Sequence, residues 1–352
     1  MNAQNTESAP KVLKESKNKI KVDFERTSIW TRLRIKYLSW SFAGNLVWWI
    51  FRLVLLLGIS YVILLPFFSK LTSSFMSPED FVDVTVKLIP RYPTLDTYKA
   101  IIKESGYFEA LLNTTILSVS CGLIQTFICS MIGYGFAKYK FKGGKIFFLL
   151  VILTMVVPHE TLHLSMFMKF RYFDILGVFS LLGGGVVESF RVIPFTALNL
   201  VNSYWPLMIL SFGGLAFKNG LYIFIMRQFF RNVPDELEES AYIDGSGIFR
   251  TFVQIVLPIS VPMMITIFLF AFSWQWTDNF YTEVFFTTTK MKLMPDIVMT
   301  PRSLDTDFAG GSMYISAIRN TCGLLIIAPL IVVYLFCQRY LVQGIERSGI
   351  TG

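Results

Sequence analysis

The chain has 352 residues, 53% hydrophobic and only 16% charged, where an ordinary soluble domain carries about 25% charged residues. Its apolar runs are too long for soluble helices, which excludes a purely soluble globule. The formal net charge of +8 is accounted for by membrane orientation and lipid contact, so no nucleic-acid partner is invoked.

Residues 1–48 read as a basic cytoplasmic tail carrying "KVLKESKNKIKVDFER" and "RLRIKY". The charged stretch is too long and the first apolar run too late for a cleavable signal. The basic, aromatic segment "SIWTRLRIKYLSWSFAGNLVWW" has two readings: an interfacial helix on the membrane surface, or a solvated tail before the first span. Six apolar runs follow: Leu53–Phe68, Ile116–Ala137, Lys145–Val157 (extended to about Phe170), Trp205–Met226, Phe252–Phe272 and Cys322–Phe336. A spanning helix needs about 20 mostly apolar residues, and in lipid the backbone must bond within itself. The fold class is therefore all-α membrane protein, with six transmembrane helices in a domain covering 49–345.

Lysine and arginine set the orientation. The loop "KYKFKGGK" after the second span has four lysines and no acid, so it belongs with the N-terminal tail in the cytoplasm. Six spans return the C-terminal tail, 346–352, to the same side. Segments 70–109, 169–204 and 277–312 then lie outside. The four cysteines, Cys121, Cys129, Cys322 and Cys337, sit in or at the ends of apolar runs without C-x-x-C spacing; they read as small packing residues.

Between the fourth and fifth spans lies "RNVPDELEESAYIDGSGIFRTFVQIVLPISVP", Arg231–Pro262. Asn232 is a good cap, and Pro234 is tolerated in a first turn. Asp235, Glu236, Glu238 and Glu239 sit early, where the helix dipole favours negative charge. Gly245 is suited to end the helix in the left-handed region. A short helix is predicted over Pro234–Asp244, with Leu237, Ala241 and Asp244 on one face. Pro258 and Pro262 predict a kink in the fifth span. Such a helix is either an ordinary loop helix or a docking element that passes motion from a soluble partner to the spans.

These residues resemble a known family. Glu239-Ser240-Ala241, Gly245, Ile255 and Leu257-Pro258 stand at the spacing of the E-A-A, glycine, I-x-L-P loop of bacterial ABC importer permeases. Asp244 precedes the glycine as in that family, and Ser240 replaces its middle alanine. "NTTILSV" (Asn113–Val119) is similar to the start of the family's second span. "GYGFAKYKFKGGKIFFLLVILTMVVP" (Gly133–Pro158) is similar to its A-Y-A-F-A-R-x-x-F-x-G hairpin. "YLVQGIERSGITG" (Tyr340–Gly352) resembles the C-terminal tail of carbohydrate permeases of the maltose-permease type, but ends Thr351-Gly352 where that tail ends Lys-Gly.

The resemblance implies a permease subunit of a binding-protein-dependent importer for oligosaccharides or related carbohydrates. Its implied partners are a second homologous permease, two cytoplasmic ATPases and an extracellular solute-binding protein. It also implies that the loop helix is a cytoplasmic coupling helix seated on an ATPase, with Glu239 paired to a basic residue there. ATP-driven closure would turn the permease from inward-open to outward-open. ATP and Mg²⁺ would sit on the ATPases, with no cofactor on this chain. The sequence has no G-x-x-x-x-G-K-[ST] phosphate loop; "FKGGKI" lacks the spaced first glycine and the Ser/Thr.

Two other readings stand beside this one: an importer of a different polar solute, and an intramembrane zinc protease. The latter arises from His159-Glu160-Thr161-Leu162-His163, which fits H-E-x-x-H and holds the only two histidines. A catalytic zinc needs a third protein ligand. Glu188 and Asp174 are the nearest candidates, while the expected topology puts Asp244 a bilayer away. No metal site is assigned, and the loop pattern fixes more positions than the histidine motif does. The His pair is expected near the outer mouth of the third span.

Candidate substrate-pathway residues are Lys218, costly inside a span and so directed to the bundle interior or water, and Trp274, Trp276, Asp278 and Asn279 in "FSWQWTDNFYTEVF". The fourth span reads as broken by Gly213-Gly214 and by Lys218-Asn219-Gly220, polar breaks that are tolerated where they line a cavity. The bland alternative for the glycines is close helix packing, and for Trp274, Trp276 and Tyr281, which could stack on sugar rings, an aromatic interfacial belt. Residues 177–203 depart from the family pattern and read as an external insertion that meets the binding protein.

Overall fold

A computed structural model of the protein describes residues 40–174, 198–288 and 291–349, with side chains described from 44 to 341. The N-terminal tail up to residue 39, insertion residues 177–197 with Glu188, and residues 350–352 lie outside the described residues. The described structure is helical; the one bridge among the described residues is an isolated antiparallel pair, Phe173 with Leu198.

The chain divides into two compact units between Phe67 and Phe68. The described part of the first is the helix α1, Trp40–Ser73, whose last residues enter the second unit. Its stretch Gly44–Ser73 is 30 residues long; at about 1.5 Å per residue it exceeds the roughly 30 Å of bilayer hydrocarbon.

The second unit is built around α3, Tyr107–Lys138, which follows the short α2, Asp96–Ser105. α3 packs against α6 (Trp205–Phe212), α7 (Asn219–Arg231) and α10 (Leu257–Trp276). Leu117 and Cys121 in its first half join Leu207, Tyr281 and Phe285 in one core. Cys129 and Tyr134 in its second half join Tyr222, Met226, Phe230 and Phe252 in another. α10 in turn packs on α12, Gly311–Gly349.

Among the described residues four helices are long and apolar enough to cross a membrane: Gly44–Ser73, Tyr107–Lys138, Ile248–Trp276 and Gly311–Leu341. The other two expected spans are not straight. The third divides into α4 (Gly144–Val156) and α5 (His163–Arg171), joined through a short turn at His159–Leu162; the α4 segment and His159–Arg171 meet at 93°. Pro158 is the physical cause, because it offers no N–H and pushes Val157 out of the helical region, to ψ 119°. Counted as one crossing, this bent pair makes five.

The fourth is broken between α6 and α7, where Gly214 and Lys218 take left-handed φ values of 67° and 66°. Gly213-Gly214 therefore ends a helix, and Gly214 also lies close against α3, where a Cβ would come within 3.2 Å of Ile132 Cδ1. The fifth opens with α9 (Ile248–Thr251) and a widened π turn over Phe252–Val256 before α10. There the Leu257 N–H reaches back five residues to the Phe252 carbonyl. Pro258 has no N–H, and in a regular helix its ring would press on the Gln254 carbonyl; the wider turn absorbs that conflict.

Candidate functional site

The short helix predicted before the fifth span is α8, Glu236–Ile243. It is shorter than predicted, and its caps differ. Asn232 closes α7, its N–H bonding the Phe229 and Phe230 carbonyls. Asp235 opens α8, its carbonyl accepting the N–H groups of Glu238 and Glu239 at 3.0 Å each. At the other end Gly245 has φ 82°. Its N–H bonds the Tyr242 carbonyl at 3.0 Å and the Ser246 N–H bonds that of Ala241 at 2.9 Å. These are the two bonds of a Schellman ending. A Cβ at this φ costs about 1–2 kcal/mol. Gly245→Ala is therefore expected to fray α8, seen as faster amide exchange from Asp244 to Ser246.

α8 is held to the bundle by a polar anchor that its own sequence does not announce. The Lys138 ammonium, its side chain 6% exposed, donates to the Val233 carbonyl at 2.6 Å and to Asp235 Oδ1 at 2.5 Å. It also lies 3.4 Å from Glu238 Oε1. The Tyr134 hydroxyl donates to Glu238 Oε2 at 3.0 Å, and the Tyr139 hydroxyl meets those of Tyr134 and Tyr242 at 3.3 Å. Lys138 holds the Asp235 carboxyl below its usual range.

Glu238 and Ala241 thus form the buried side of α8, while Leu237 and Asp244, which share a face with Ala241 by spacing, are exposed. Leu237, Glu239, Ser240, Tyr242, Ile243, Asp244 and Gly245 are exposed, continuing into exposed Ile248 and Phe249. Glu239 makes no ion pair among the described residues. Ile255, Leu257 and Pro258 lie elsewhere, on the π turn and the first turn of α10.

A second feature lies where α6 and α7 break. A cavity of about 490 Å³ runs between this break and the α4–α5 bend. Lys218, Asn219, Phe217 and His159 are on its wall. The Lys218 ammonium sits 4.5 Å from the centre of the Phe217 ring and 5.0 Å from that of Trp274. His159 packs edge-on against Phe217 and Tyr281, whereas His163 faces Phe280.

The predicted pathway set therefore separates. Lys218 and Trp274 converge. Trp276 is 1% exposed and gives its indole N–H to the Ile326 carbonyl at 2.9 Å, so it serves the core. Tyr281 is equally buried, which removes it and Trp276 from any interfacial belt. Asp278 accepts the Tyr281 N–H at 2.8 Å, at the start of α11 (Phe280–Phe285). Burial pushes its carboxyl up to about 6. Asn279 is exposed at the same helix start.

Residues 129–347 match the family described as binding-protein-dependent transport system inner membrane component. The chain belongs to that family. It is a transport subunit, and the zinc-protease reading of His159 and His163 gives way to membership of this family. Among the described residues no three metal-binding side chains come together.

The chain is similar to the polygalacturonan/rhamnogalacturonan transport system permease protein YtcP of Bacillus subtilis (strain 168). The two are 26% identical over 306 residues, covering 84% of this chain and 96% of that one. It is also similar to the arabinooligosaccharides transport system permease protein AraQ of the same organism, 28% identical over 84% of this chain and 92% of that one. In fold it resembles a chain in the crystal structure of a bacterial ABC transporter involved in the import of the acidic polysaccharide alginate. That match has a TM-score of 0.63 and 19% identity, covering 84% of this chain and 97% of that chain. The whole family match lies in the second unit, where both α8 and the cavity are found.

Lys138, Tyr134 and Glu238 form the part of the site that sequence reasoning missed. The signal was present as a lysine closing α3 and a glutamate that breaks the exposed acidic run, but only the fold joins positions about a hundred residues apart.

Proposed function

We propose that the chain is the permease subunit of an ATP-driven importer for oligosaccharides or related carbohydrates, with α8 as the element that receives motion from an ATPase. One observation carries the coupling role. α8 presents an exposed acidic and apolar face while its opposite side is locked to α3 through Lys138, Tyr134 and Glu238. A push on the exposed face is thus delivered to the central helix of the bundle. The relatives named for saccharide transport support the substrate class.

In this reading the bent α4–α5 pair and the broken α6–α7 pair each make one crossing, giving six with α1, α3, α9–α10 and α12. Both termini are cytoplasmic. The lysine-rich loop after α3 and α8 sit at the same end of the bundle, since Lys138 bonds Val233 and Asp235; the positive-inside rule makes that end cytoplasmic. A second permease, two ATPases holding ATP and Mg²⁺, and a solute-binding protein complete the machine. The segment 177–203 is assigned to the outer side. Glu239 pairs with a basic residue of the ATPase, next to Ser240 and Asp244 on the same exposed surface.

Charge reversal tests this. Glu239→Lys is expected to lower recovery of the ATPase with the purified permease by about tenfold or more, the scale of losing a buried interfacial charge pair. Membrane insertion should be unchanged. A fully assembled, active Glu239→Lys complex would refute the role.

A further inference from the structure

The cavity at the α6–α7 break has a chemical character that the carbohydrate reading alone does not require. Lys218 is half-buried, in the middle of a crossing that is otherwise apolar. Among the described residues no carboxylate pairs with it; its ammonium rests on the faces of Phe217 and Trp274. A lone cation at this depth is expensive unless it meets water, a partner or a ligand.

The next residue repeats the pattern. Asn219 is 1% exposed, and neither its Oδ1 nor its Nδ2 has a hydrogen-bond partner among the described residues. A buried amide left unpaired is costly and calls for an explanation. The 13-residue α7 also begins here, adding the partial positive charge of a helix N-terminus. Discontinuous helices of transporters place their binding groups at such breaks. The cavity's volume of about 490 Å³ lies within the usual span of small-ligand sites. Its wall is mainly apolar, with these few polar groups converging.

We propose that Lys218 and Asn219 form a subsite for a saccharide bearing a carboxylate, a uronate-type sugar. Lys218 receives the carboxylate, Asn219 bonds the carboxylate or a neighbouring hydroxyl, and Phe217 with the leucines of the cavity wall takes the apolar side of the ring. One ammonium and one amide match a single negative charge. A phosphate ester carries more charge and favours the planar fork of arginine, and among the described residues no arginine lies on the cavity wall. The inference rests on the carbohydrate-importer reading and narrows it.

The test uses the complete importer, solubilised with its partner permease and ATPases. Binding of trigalacturonate and of carboxyl-reduced trigalacturonate is titrated through tryptophan fluorescence. Uptake of both, driven by the binding protein, is measured in proteoliposomes. The wild type is expected to bind the acidic sugar about tenfold more tightly than the neutral one. Lys218→Asn should erase that ratio; asparagine tolerates the left-handed backbone at this position, so the loss is of charge. Lys218→Arg, which keeps the charge, should retain most of the preference.

Equal wild-type affinity for the two sugars would overturn the subsite and leave the carbohydrate reading standing. A Lys218→Asn variant that weakens both sugars by the same factor would overturn it too, making the lysine structural. Neither sugar bound and neither taken up would sink the subsite and the carbohydrate reading together.

Discussion

Lys138→Met is expected to disconnect α8 from the bundle and to abolish most solute-stimulated ATP hydrolysis by the assembled importer. The variant removes the donor to Val233 and the counter-ion of Asp235 and Glu238. Asp235 is exposed, and its loss costs little. Glu238 is 6% exposed and would keep a buried charge supported only by the Tyr134 hydroxyl. Breaking one side of a buried pair costs about 3–5 kcal/mol, which is much of what a short helix has to hold it in place. The double variant Lys138→Met with Glu238→Gln removes the stranded charge and should recover a large part of the loss. Amide exchange across α8 and solute-stimulated ATPase activity are the two measurements. If the single variant matched the wild type in both, the anchor would not be what holds α8. If the double variant were no better than the single, the buried charge would not be the cause.

This anchor shows where the sequence could and could not be read. α8 was legible because its ends are local chemistry: an acidic first turn and a glycine placed for a Schellman ending. Which side of α8 faces inward was not legible. Spacing puts Leu237, Ala241 and Asp244 on one face, yet of these only Ala241 is buried, and Glu238 is buried beside it because a lysine from α3 pairs with it. Long-range ion pairing overrode the apolar face.

The spans divide in the same way. Apolar length marked α3, α10 and α12, since lipid leaves the backbone no other option. Length alone did not show that Pro158 would turn the third run through 93°. The break in the fourth was legible in Gly213-Gly214 and Lys218-Asn219-Gly220, but not that Lys218, a non-glycine residue, would take a left-handed backbone there. Both departures border the cavity, where Lys218 and His159 stand on one wall. The histidine pair was conspicuous as a metal motif. The fold instead separates its members, sending His159 to Phe217 and Tyr281 and His163 to Phe280.

The crossing that joins α8 to the rest of the bundle makes a second large effect expected, from the smallest possible change. Gly133 and Gly135 lie two residues apart near the end of α3. A Cβ on Gly133 would come within 2.7 Å of Met226 Cβ and 3.0 Å of the Arg227 backbone nitrogen on α7. A Cβ on Gly135 would meet nothing within 4 Å. In a helix interior, Gly→Ala gains about 0.8–1 kcal/mol from propensity alone, and that gain applies at both positions. At Gly135 nothing opposes it, so Gly135→Ala should raise the thermal midpoint of the purified subunit slightly. At Gly133 the methyl must push α7 away, and overpacking of this kind costs about 1–3 kcal/mol. Gly133→Ala should therefore lower the midpoint and loosen the Met226 and Phe230 core, from which α7 leads directly into the Asp235 turn. The family pattern carries alanine at both places, so the pair also asks whether this crossing is closer than that pattern requires. Opposite signs for the same substitution two residues apart would assign the difference to the α3–α7 contact, because propensity and lost chain entropy are common to both. Equal shifts would mean that α7 moves aside without cost, and that the crossing does not fix the height at which α8 is presented.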